Sequence, residues 1–312
     1  MEKFLVTGGA GFIGSHICRK LVSQGCFVRV LDNLLTGKKS NLADVIEKIE
    51  FIEADMGDSQ VARSAMKDID VVLHEGALPS VPRSVDDPAA THRHCVDATF
   101  TLLLAARDAG VKRFVYAASS SAYGDAPTSP KVETMPPSPL SPYAVGKLVG
   151  EYYCSVFSGV FGLETISLRY FNVFGPYQDP ASQYAAAIPA FVTAILKDQS
   201  PTIYGDGEQS RDFTYVDNVV EANLLAARAK RTNGQVVNIA CGRAVTVNAI
   251  IDMINDLLGK SIKPTYVASR LGDVKHSLAD ISRARKLIGF KPTVQFREGL
   301  EKALDWYRNN LL

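Results

Sequence analysis

Short apolar runs alternate with longer helical patterns along the first half of the chain. The apolar runs lie near residues 4–6, 27–31, 49–52, 71–74 and 113–118. Segments with helical periodicity, such as 15–24 and 88–108, separate them. This alternation predicts βαβ units and a parallel sheet that is covered by helices on both faces.

A long helix is predicted from Pro142 to Gly162. Ser141 is a favourable N-cap, Pro142 suits a first helical turn, and Gly162 is a natural C-terminal stop. Residues 163–170 predict a further strand. The pattern then loosens into helices near 186–198, 217–230 and 246–258 with short strands between them. We therefore expect an α/β fold with a second, smaller α/β domain.

Three glycines follow the first apolar run at the spacing of a dinucleotide-binding turn. Gly8 permits a tight turn, Gly11 lets the backbone approach a pyrophosphate, and Gly14 lets the next helix pack closely on the sheet. The N-terminus of that helix offers unpaired N–H groups to the phosphates. Asp32 ends the next apolar run, where a carboxylate accepts hydrogen bonds from the adenosine ribose and repels a 2′-phosphate. The pattern predicts a doubly wound, Rossmann-type sheet that binds NAD rather than NADP.

Tyr143 and Lys147 are four residues apart on the predicted helix, so their side chains leave on the same face. A phenol titrates near pH ~10, and it can act as a base at neutral pH only where its phenolate is stabilised, as by an adjacent ammonium. A serine cluster, residues 119–121, follows the apolar run 113–118. Open α/β sheets place ligand-binding groups at such strand ends. Together these features predict a proton-transfer site beside the dinucleotide.

Composition excludes several other classes of protein. The 34 basic and 33 acidic residues nearly balance, which gives no electrostatic footprint for nucleic acid or for an anionic membrane. The five cysteines show no CxxC spacing and suit reduced thiols in a cytosol. No apolar run approaches membrane-spanning length, and the N-terminus enters a strand at once. Together these features predict a cytoplasmic protein. His92 and His94 have no third ligand nearby, so we expect no metal site.

Six motifs together resemble those of a known family. They lie at residues 7–14, 31–33, 119–124, 143–147, 168–175 and 205–213. Along essentially its whole length the chain is similar to the extended short-chain dehydrogenases/reductases of the UDP-sugar 4-epimerase group. Residues 80–84 and 272–280 look most like the UDP-N-acetylglucosamine 4-epimerases of bacterial surface-polysaccharide pathways. The resemblance implies an NAD-binding domain over residues 1–168 and a UDP-sugar-binding domain over 169–312, with segments that return to the sheet.

The resemblance also implies roles for the cofactor and catalytic residues. Tyr143 would take the proton of the sugar 4-hydroxyl while a hydride passes to NAD, and Lys147 would lower the tyrosine pKa and bond the nicotinamide ribose. Ser119 aligns with the catalytic serine or threonine, although Ser120 and Ser121 are open alternatives for the bond to the 4-oxygen. The implied cofactor residues are Gly8, Gly11, Phe12, Ile13, Gly14, Asp32, Asn33, Asp55, Met56, Tyr143, Lys147 and Tyr170.

The implied substrate residues come from both halves of the chain. Arg211 and Arg270 would clamp the UDP, because a guanidinium recognises pyrophosphate oxygens in a bidentate manner. Ser277 would form the wall beside the sugar 2-substituent, where a small residue leaves space for an N-acetyl group. The full implied set is Ser80, Arg83, Ser120, Ser121, Asn172, Arg211, Arg270, Asp273 and Ser277.

Two departures and three alternatives qualify the resemblance. Gly76 replaces a usual alanine without expected harm, whereas Cys95 replaces a usual asparagine and is expected to weaken NAD retention. A 4,6-dehydratase would carry Thr-Asp-Glu at residues 119–121, and a non-catalytic NAD-binding regulator would lack the tyrosine–lysine pair. A UDP-glucuronate 4-epimerase stays open as an alternative. Family pairing of helices near 90–108 and 142–162 implies a homodimer.

Overall fold

The strands and helices of the first half of the chain follow the order that the sequence predicts. The computed structural model describes residues 1–179, 187–269 and 275–311. The strands within these ranges are Lys3–Thr7 (β1), Phe27–Asp32 (β2), Glu50–Glu53 (β3), Val71–His74 (β4), Arg113–Ser119 (β5), Thr165–Tyr170 (β6), Val173–Phe174 (β7), Thr202–Tyr204 (β8), Ser210–Asp212 (β9), Thr214–Tyr215 (β10), Gln235–Ile239 (β11), Ala244–Thr246 (β12), Thr265–Val267 (β13) and His276–Ser277 (β14). The α-helices are Phe12–Ser23 (α1), Ser59–Ala65 (α2), Val81–Asp86 (α3), Pro88–His92 (α4), Ala98–Asp108 (α5), Pro142–Phe161 (α6), Ala187–Leu196 (α7), Val216–Arg228 (α8), Val247–Leu258 (α9), Ser282–Ile288 (α10) and Phe296–Leu311 (α11). Short 3₁₀ turns cover Lys39–Leu42, Ile46–Lys48 and Ser120–Tyr123, and a π-turn covers Arg93–Asp97.

Seven strands form one parallel sheet in the order β3-β2-β1-β4-β5-β6-β11. The strand order reverses between β1 and β4, because β2 and β3 extend to one side of β1 while β4, β5 and β6 extend to the other. Such a switch point opens a crevice at the carboxyl ends of the strands, where open α/β sheets bind their ligands. The doubly wound, Rossmann-type sheet predicted from the sequence is confirmed.

The first strand shows why the sheet requires nearly continuous apolar runs. Phe4 and Val6 are buried in the core on the face covered by α1 and α8, whereas Leu5 is buried in the core on the opposite face, with α2 and α5. Successive side chains of a strand point to opposite faces. A strand that is covered on both faces therefore needs an apolar residue at every position.

Helix α6 has the boundaries that its capping residues predict. Ser141 Oγ accepts a hydrogen bond from the Ala144 amide at 3.2 Å, and Gly162 ends the helix in the left-handed conformation. Arg169 of β6 donates two hydrogen bonds to the Glu151 carboxylate of α6, at 2.8 and 2.7 Å, and both side chains are buried. This bidentate pair fixes α6 against the sheet.

Two predicted helices differ in detail from the structure. Helix α1 begins at Phe12, earlier than the predicted residue 15, because the glycine turn leads directly into it. The segment predicted as one helix over 88–108 contains a π-turn at Arg93–Asp97. Thr99 Oγ1, in the first turn of α5, donates to the Cys95 carbonyl oxygen at 2.8 Å. Apolar periodicity does not reveal such a local change of hydrogen bonding.

The second half of the chain builds a smaller sheet and then returns to the large one. Strands β12, β9 and β14 form a three-stranded sheet, whereas β11 pairs in parallel with β6 of the large sheet. Helix α8 packs against α1. The predicted domain division at residue 168 falls within β6, and it stays a prediction. No helix of the described ranges is long and apolar enough to cross a lipid bilayer.

Candidate active site

A cleft of about 1120 Å³ runs along the carboxyl ends of the central strands. It spans the switch point between β1 and β4, as expected for a doubly wound sheet. The sequence-predicted residues that line it are Gly8, Gly11, Phe12, Ile13, Gly14, Asp32, Asn33, Met56, Ser80, Arg83, Tyr143, Lys147 and Tyr170. All of the predicted cofactor residues except Asp55, the tyrosine–lysine pair included, therefore line one cavity, and Ser119 lies outside its lining.

The glycine turn at the end of β1 forms a cradle that side chains would fill. Gly8 has a φ of +67°, and a Cβ there would lie 2.7 Å from the Gly76 Cα. A Cβ on Gly14 would lie 2.2 Å from the Gly8 carbonyl oxygen, so α1 packs against the turn at a distance that only glycine permits. A Cβ on Gly11 would meet only the Gly8 oxygen, at 3.1 Å, and Gly11 lines the cleft. This cradle at a helix N-terminus fits the pyrophosphate of a dinucleotide.

Asp32 supports the glycine turn as well as lining the cleft. Its Oδ2 accepts a hydrogen bond from the Ala10 amide at 2.9 Å, and its Oδ1 accepts one from the Leu34 amide at 2.8 Å. Burial raises the pKa of Asp32. Each oxygen keeps a second lone pair for a ribose hydroxyl. The sequence predicts the ribose contact, but it does not predict that Asp32 also fixes the turn.

The side chains of Tyr143 and Lys147 both face the cleft from α6, as their spacing predicts. Ser119, at the end of β5, lies close enough to Tyr143 to lower the pKa of its hydroxyl. Ser121 Oγ donates to Ser119 Oγ at 2.9 Å, and the Lys147 ammonium donates to the Ala117 carbonyl oxygen at 2.7 Å. The end of β5 therefore holds the Lys147 side chain and lies beside Tyr143.

The pKa of Tyr143 is raised, mainly by burial. Cys95 and Glu75 raise it further, whereas Ser119 lowers it. The lowering of the Tyr143 pKa by Lys147 stays a prediction. An oxidised nicotinamide bound in this cleft would bring a positive charge, and that charge would stabilise a Tyr143 phenolate.

Close packing of α6 on β5 sets the position of the tyrosine–lysine pair. A Cβ on Gly150 would lie 2.3 Å from Tyr116 Oη, so glycine is required for this approach. Tyr116 Oη donates to the Lys147 carbonyl oxygen at 3.3 Å, and the Lys147 ammonium lies 5.0 Å from the Tyr116 ring centroid. Cys95 is buried against α6, where a Cβ on Gly146 would lie 3.1 Å from its Cβ.

Other predicted residues lie outside the cleft lining. Asp55 Oδ1 accepts from the Gly57 amide at 2.8 Å, so Asp55 caps a turn beside the cleft. Asn172 Nδ2 donates to the Asp212 carbonyl oxygen at 2.9 Å. Arg211 and Ser277 are partners in the register of β9 and β14, on the smaller sheet. Ser120 and Ser121 lie in the 3₁₀ turn after β5. Arg270 and Asp273 lie outside the described residues.

The Asp212 carboxylate holds the smaller sheet together beside Arg211. It accepts hydrogen bonds from the amides of Cys241 and Gly242, each at 2.9 Å, and from the Ala279 amide at 3.3 Å. Burial raises the pKa of Asp212 to about 6. The segments that carry Arg211 and Ser277 are therefore fixed relative to each other by one buried carboxyl group.

The sequence interpretation missed several cleft residues, among them the segment 34–41, Glu75, and a group on the opposite wall. Glu75 follows β4 directly and lines the cleft beside Tyr170. An acidic residue at the end of an apolar strand is the signal that could have identified it. The group on the opposite wall lies on 177–179 and on α11, and it includes Trp306 and Asn310. No local pattern in the sequence predicts that α11 reaches the cleft.

Comparison with known proteins gives consistent results. The family described as "NAD dependent epimerase/dehydratase family" matches residues 4–240. The UDP-glucose 4-epimerase of Mycolicibacterium smegmatis is 37% identical over 309 residues, which cover 98% of each chain. A UDP-N-acetylglucosamine 4-epimerase from Methanobrevibacter ruminantium M1, solved with UDP-N-acetylmuramic acid, is 42% identical with a TM-score of 0.95, covering 99% of this chain and 98% of that one.

A further solved relative contains the cofactor. The UDP-glucuronic acid 4-epimerase of Bacillus cereus, in complex with UDP-glucuronic acid and NAD, is 34% identical with a TM-score of 0.91, covering 98% of this chain and 99% of that one. The glycine cradle, the Asp32 carboxylate and the tyrosine–lysine pair of this chain line one cleft of matching fold. The chain therefore belongs to the NAD-dependent epimerase/dehydratase family, among its UDP-sugar 4-epimerases, and uses NAD.

Proposed function

We propose that the protein interconverts UDP-GlcNAc and UDP-GalNAc, and also UDP-Glc and UDP-Gal, by inversion at C4. The observation that carries this proposal is the position of Tyr143, which lies beside Ser119 and faces the same cleft as the glycine cradle. A base at this point can reach a sugar hydroxyl whose carbon faces the nicotinamide. The UDP-sugar 4-epimerases among the relatives support the same reaction class.

In the proposed mechanism the residues of β5 and α6 move and hold one proton. Bound NAD supplies the acceptor and donor of the hydride. Tyr143 removes the 4-hydroxyl proton as a phenolate, while Ser119 hydrogen-bonds to the 4-oxygen. Lys147, anchored on the Ala117 carbonyl, bonds the nicotinamide ribose. Once the 4-keto sugar has turned over and the hydride has returned to the other face of C4, Tyr143 gives the proton back to the 4-oxygen.

The proposed sugar range depends on Ser277. This small residue lies on β14 in register with Arg211, which is proposed to bind the substrate pyrophosphate. A small side chain in the wall beside the sugar 2-substituent leaves space for an N-acetyl group, whereas a large ring would exclude it. Asn172, Arg270 and Asp273 complete the proposed UDP contacts. Ser80 and Arg83 line the cleft and are proposed to face the sugar.

We expect Ser277→Tyr to lower kcat/KM for UDP-GlcNAc and UDP-GalNAc by about 100-fold and to leave the plain sugars within about threefold. The measurement is epimerisation of each substrate followed by NMR. His276→Tyr is the matched control, because it adds the same ring one residue away, where the strand points to its other face. Equal loss of both substrate pairs in Ser277→Tyr would contradict the proposed wall.

The same assay distinguishes the proposed substrates from those of a UDP-glucuronate 4-epimerase. A relative with that activity is 33% identical and covers the whole chain, so UDP-glucuronate belongs in the substrate set. Turnover of UDP-glucuronate without turnover of the other two pairs would replace the proposed substrates. The reaction class would then be unchanged.

We also propose a cytoplasmic homodimer that pairs through α5 and α6. Val145, Tyr152, Val156 and Val160 are exposed along one face of α6, and Phe100 is exposed on α5. An exposed apolar stripe of this kind marks an interaction surface. A protomer has a mass of 33.8 kDa, so light scattering should give twice that value.

We expect Val156→Asp to shift the measured mass toward that of the protomer, because a buried carboxylate at the centre of the stripe is costly. Val267→Asp is the matched control, since Val267 is exposed on β13, away from α6. An unchanged dimer in Val156→Asp would place the interface elsewhere.

A further inference from the structure

Glu75 is a carboxyl group at the reactive end of the cleft to which the proposed reaction assigns no role. It follows β4 directly at the switch point of the sheet and lines the cleft with Tyr143, Lys147 and Tyr170. Tyr143 must lie where the hydride leaves the sugar, so this end of the cleft receives the nicotinamide. Glu75 therefore lies beside the part of NAD that changes charge.

The hydrogen bonds around Glu75 fix its role as an acceptor. Asn223 Nδ2 donates to Tyr170 Oη at 2.8 Å, and Tyr170 Oη donates its single proton to Glu75 Oε1 at 2.7 Å. The ring of Tyr170 is thereby tied to the carboxyl group on one side and to α8 on the other. Asn223 and Tyr170 are both buried. The arrangement holds a carboxylate oxygen in a defined position within the cleft.

No cation of residues 1–179, 187–269 or 275–311 forms an ion pair with this carboxyl group. None of the ion pairs of the described residues includes Glu75, and the Lys147 ammonium is held by the Ala117 carbonyl. The groups that face Glu75 are Lys147 and Tyr143 from α6 and Tyr170 from β6. A carboxylate without an ion-pair partner in a desolvated site has an unfavourable free energy, so the binding of a cation beside it is favoured.

We propose that Glu75 is the counter-charge of the oxidised nicotinamide, and that it makes the site bind NAD⁺ more tightly than NADH. The nicotinamide ring carries a positive charge that disappears when it accepts a hydride. A carboxylate beside the ring therefore stabilises the oxidised form selectively. This inference depends on the proposed function only for the placement of the nicotinamide beside Tyr143. In the proposed reaction, this preference favours the return of the cofactor to NAD⁺, which is the form that starts each turnover.

The expected preference depends on pH near neutrality. Burial raises the pKa of Glu75 to about 7, while Tyr170, Lys147 and Asn223 lower it. Glu75 is thus neutral well below pH 7 and a carboxylate well above it. The neighbouring His74 has its pKa lowered to about 3 by burial, so it stays neutral through this range. The preference for NAD⁺ over NADH should increase as pH rises from 6 to 8.

The test measures Kd for NAD⁺ and for NADH on the cofactor-free full-length chain at pH 6 and pH 8, without any sugar. The wild type should show a ratio Kd(NADH)/Kd(NAD⁺) that increases about tenfold between the two pH values. Glu75→Gln keeps the hydrogen-bond acceptor for Tyr170 and removes the charge. Its ratio should stay constant and close to the wild-type value at pH 6.

Two further variants sharpen the test. Tyr170→Phe removes the hydrogen bond that lowers the Glu75 pKa, so the pH-dependent increase should move to higher pH. Asp179→Asn removes a carboxylate that lines the cleft and forms an ion pair with Lys38 at 2.8 Å. Asp179 lies on a different segment from the tyrosine–lysine pair, so this control should keep the wild-type pH dependence of the ratio.

A constant ratio in the wild type, or a Glu75→Gln variant with the wild-type pH dependence, overturns the inference. Epimerase activity is measured separately, on UDP-sugars. Inactivity on every UDP-sugar with the expected binding ratios would overturn the proposed function and support the role of Glu75. Epimerase activity together with a constant Kd(NADH)/Kd(NAD⁺) ratio would support the proposed function and overturn the role of Glu75.

Discussion

Tyr143→Phe should lower kcat for epimerisation by about 10³-fold while leaving the fold and the bound NAD intact. The substitution removes only the hydroxyl that takes the proton, and a positioned general base typically contributes about 10² to 10⁴ in rate. The phenylalanine ring keeps the packing of α6 on the sheet. The rate is measured by NMR with UDP-GlcNAc and UDP-Glc, and bound NAD is measured by absorbance after denaturation.

The matched control is Tyr152→Phe, which makes the same change on the same helix at an exposed position. It should leave kcat unchanged. A Tyr143→Phe enzyme within tenfold of the wild type would exclude Tyr143 as the base. Burial raises the pKa of Tyr143, so activity should increase with pH in the range below that pKa as the phenolate forms. Tyr143→Phe should remove that dependence from the residual rate.

Gly14→Ala should abolish tight NAD binding and lower the free energy of unfolding by about 3 kcal/mol. The added Cβ would lie 2.2 Å from the Gly8 carbonyl oxygen and 2.7 Å from the Gly9 Cα. Both are backbone atoms that cannot move without shifting α1 away from β1. The helix N-terminus would then leave the phosphate site. Denaturant unfolding and NAD titration measure the two effects.

Gly159→Ala is the matched control for this substitution. Gly159 lies in α6, and a Cβ there would meet nothing within 4 Å. Replacing glycine by alanine in an open helical position stabilises a protein by about 0.4–1 kcal/mol. The control should therefore gain a little stability and keep its NAD affinity. Unchanged NAD affinity in Gly14→Ala would show that the turn has more freedom than its packing indicates.

The sequence predicts those parts of the fold that local chemistry determines. Six of the seven strands of the large sheet follow from apolar runs, and α6 follows from its caps at Ser141 and Gly162, because each signal lies within the element itself. The sequence pattern does not predict that β11 joins this sheet. The π-turn at Arg93–Asp97 is not predictable in this way, since it changes the hydrogen bonding of one turn without changing the apolar period.

The candidate site shows the same limit. The glycine cradle, Asp32, Tyr143 and Lys147 are identified by short motifs, and the structure places them in one cleft. The hydrogen bond from Tyr170 to Glu75 joins residues 95 positions apart, and it exists only because β4 and β6 end at the same edge of the sheet. Contacts of this kind depend on the assembled fold.

The position of both reactive side chains beside β5 has a consequence for how such an enzyme diversifies. Ala117 holds the Lys147 ammonium, and Ser119 lies beside Tyr143 at the end of the same strand, so one strand and one helix define the geometry proposed for proton transfer. The residues proposed to select the sugar, Arg211 and Ser277, lie on a separate small sheet. Substitutions in that sheet can therefore change which nucleotide sugar is accepted without disturbing the acid–base chemistry. New substrates are then acquired through changes in the small sheet, while β5 and α6 are inherited unchanged.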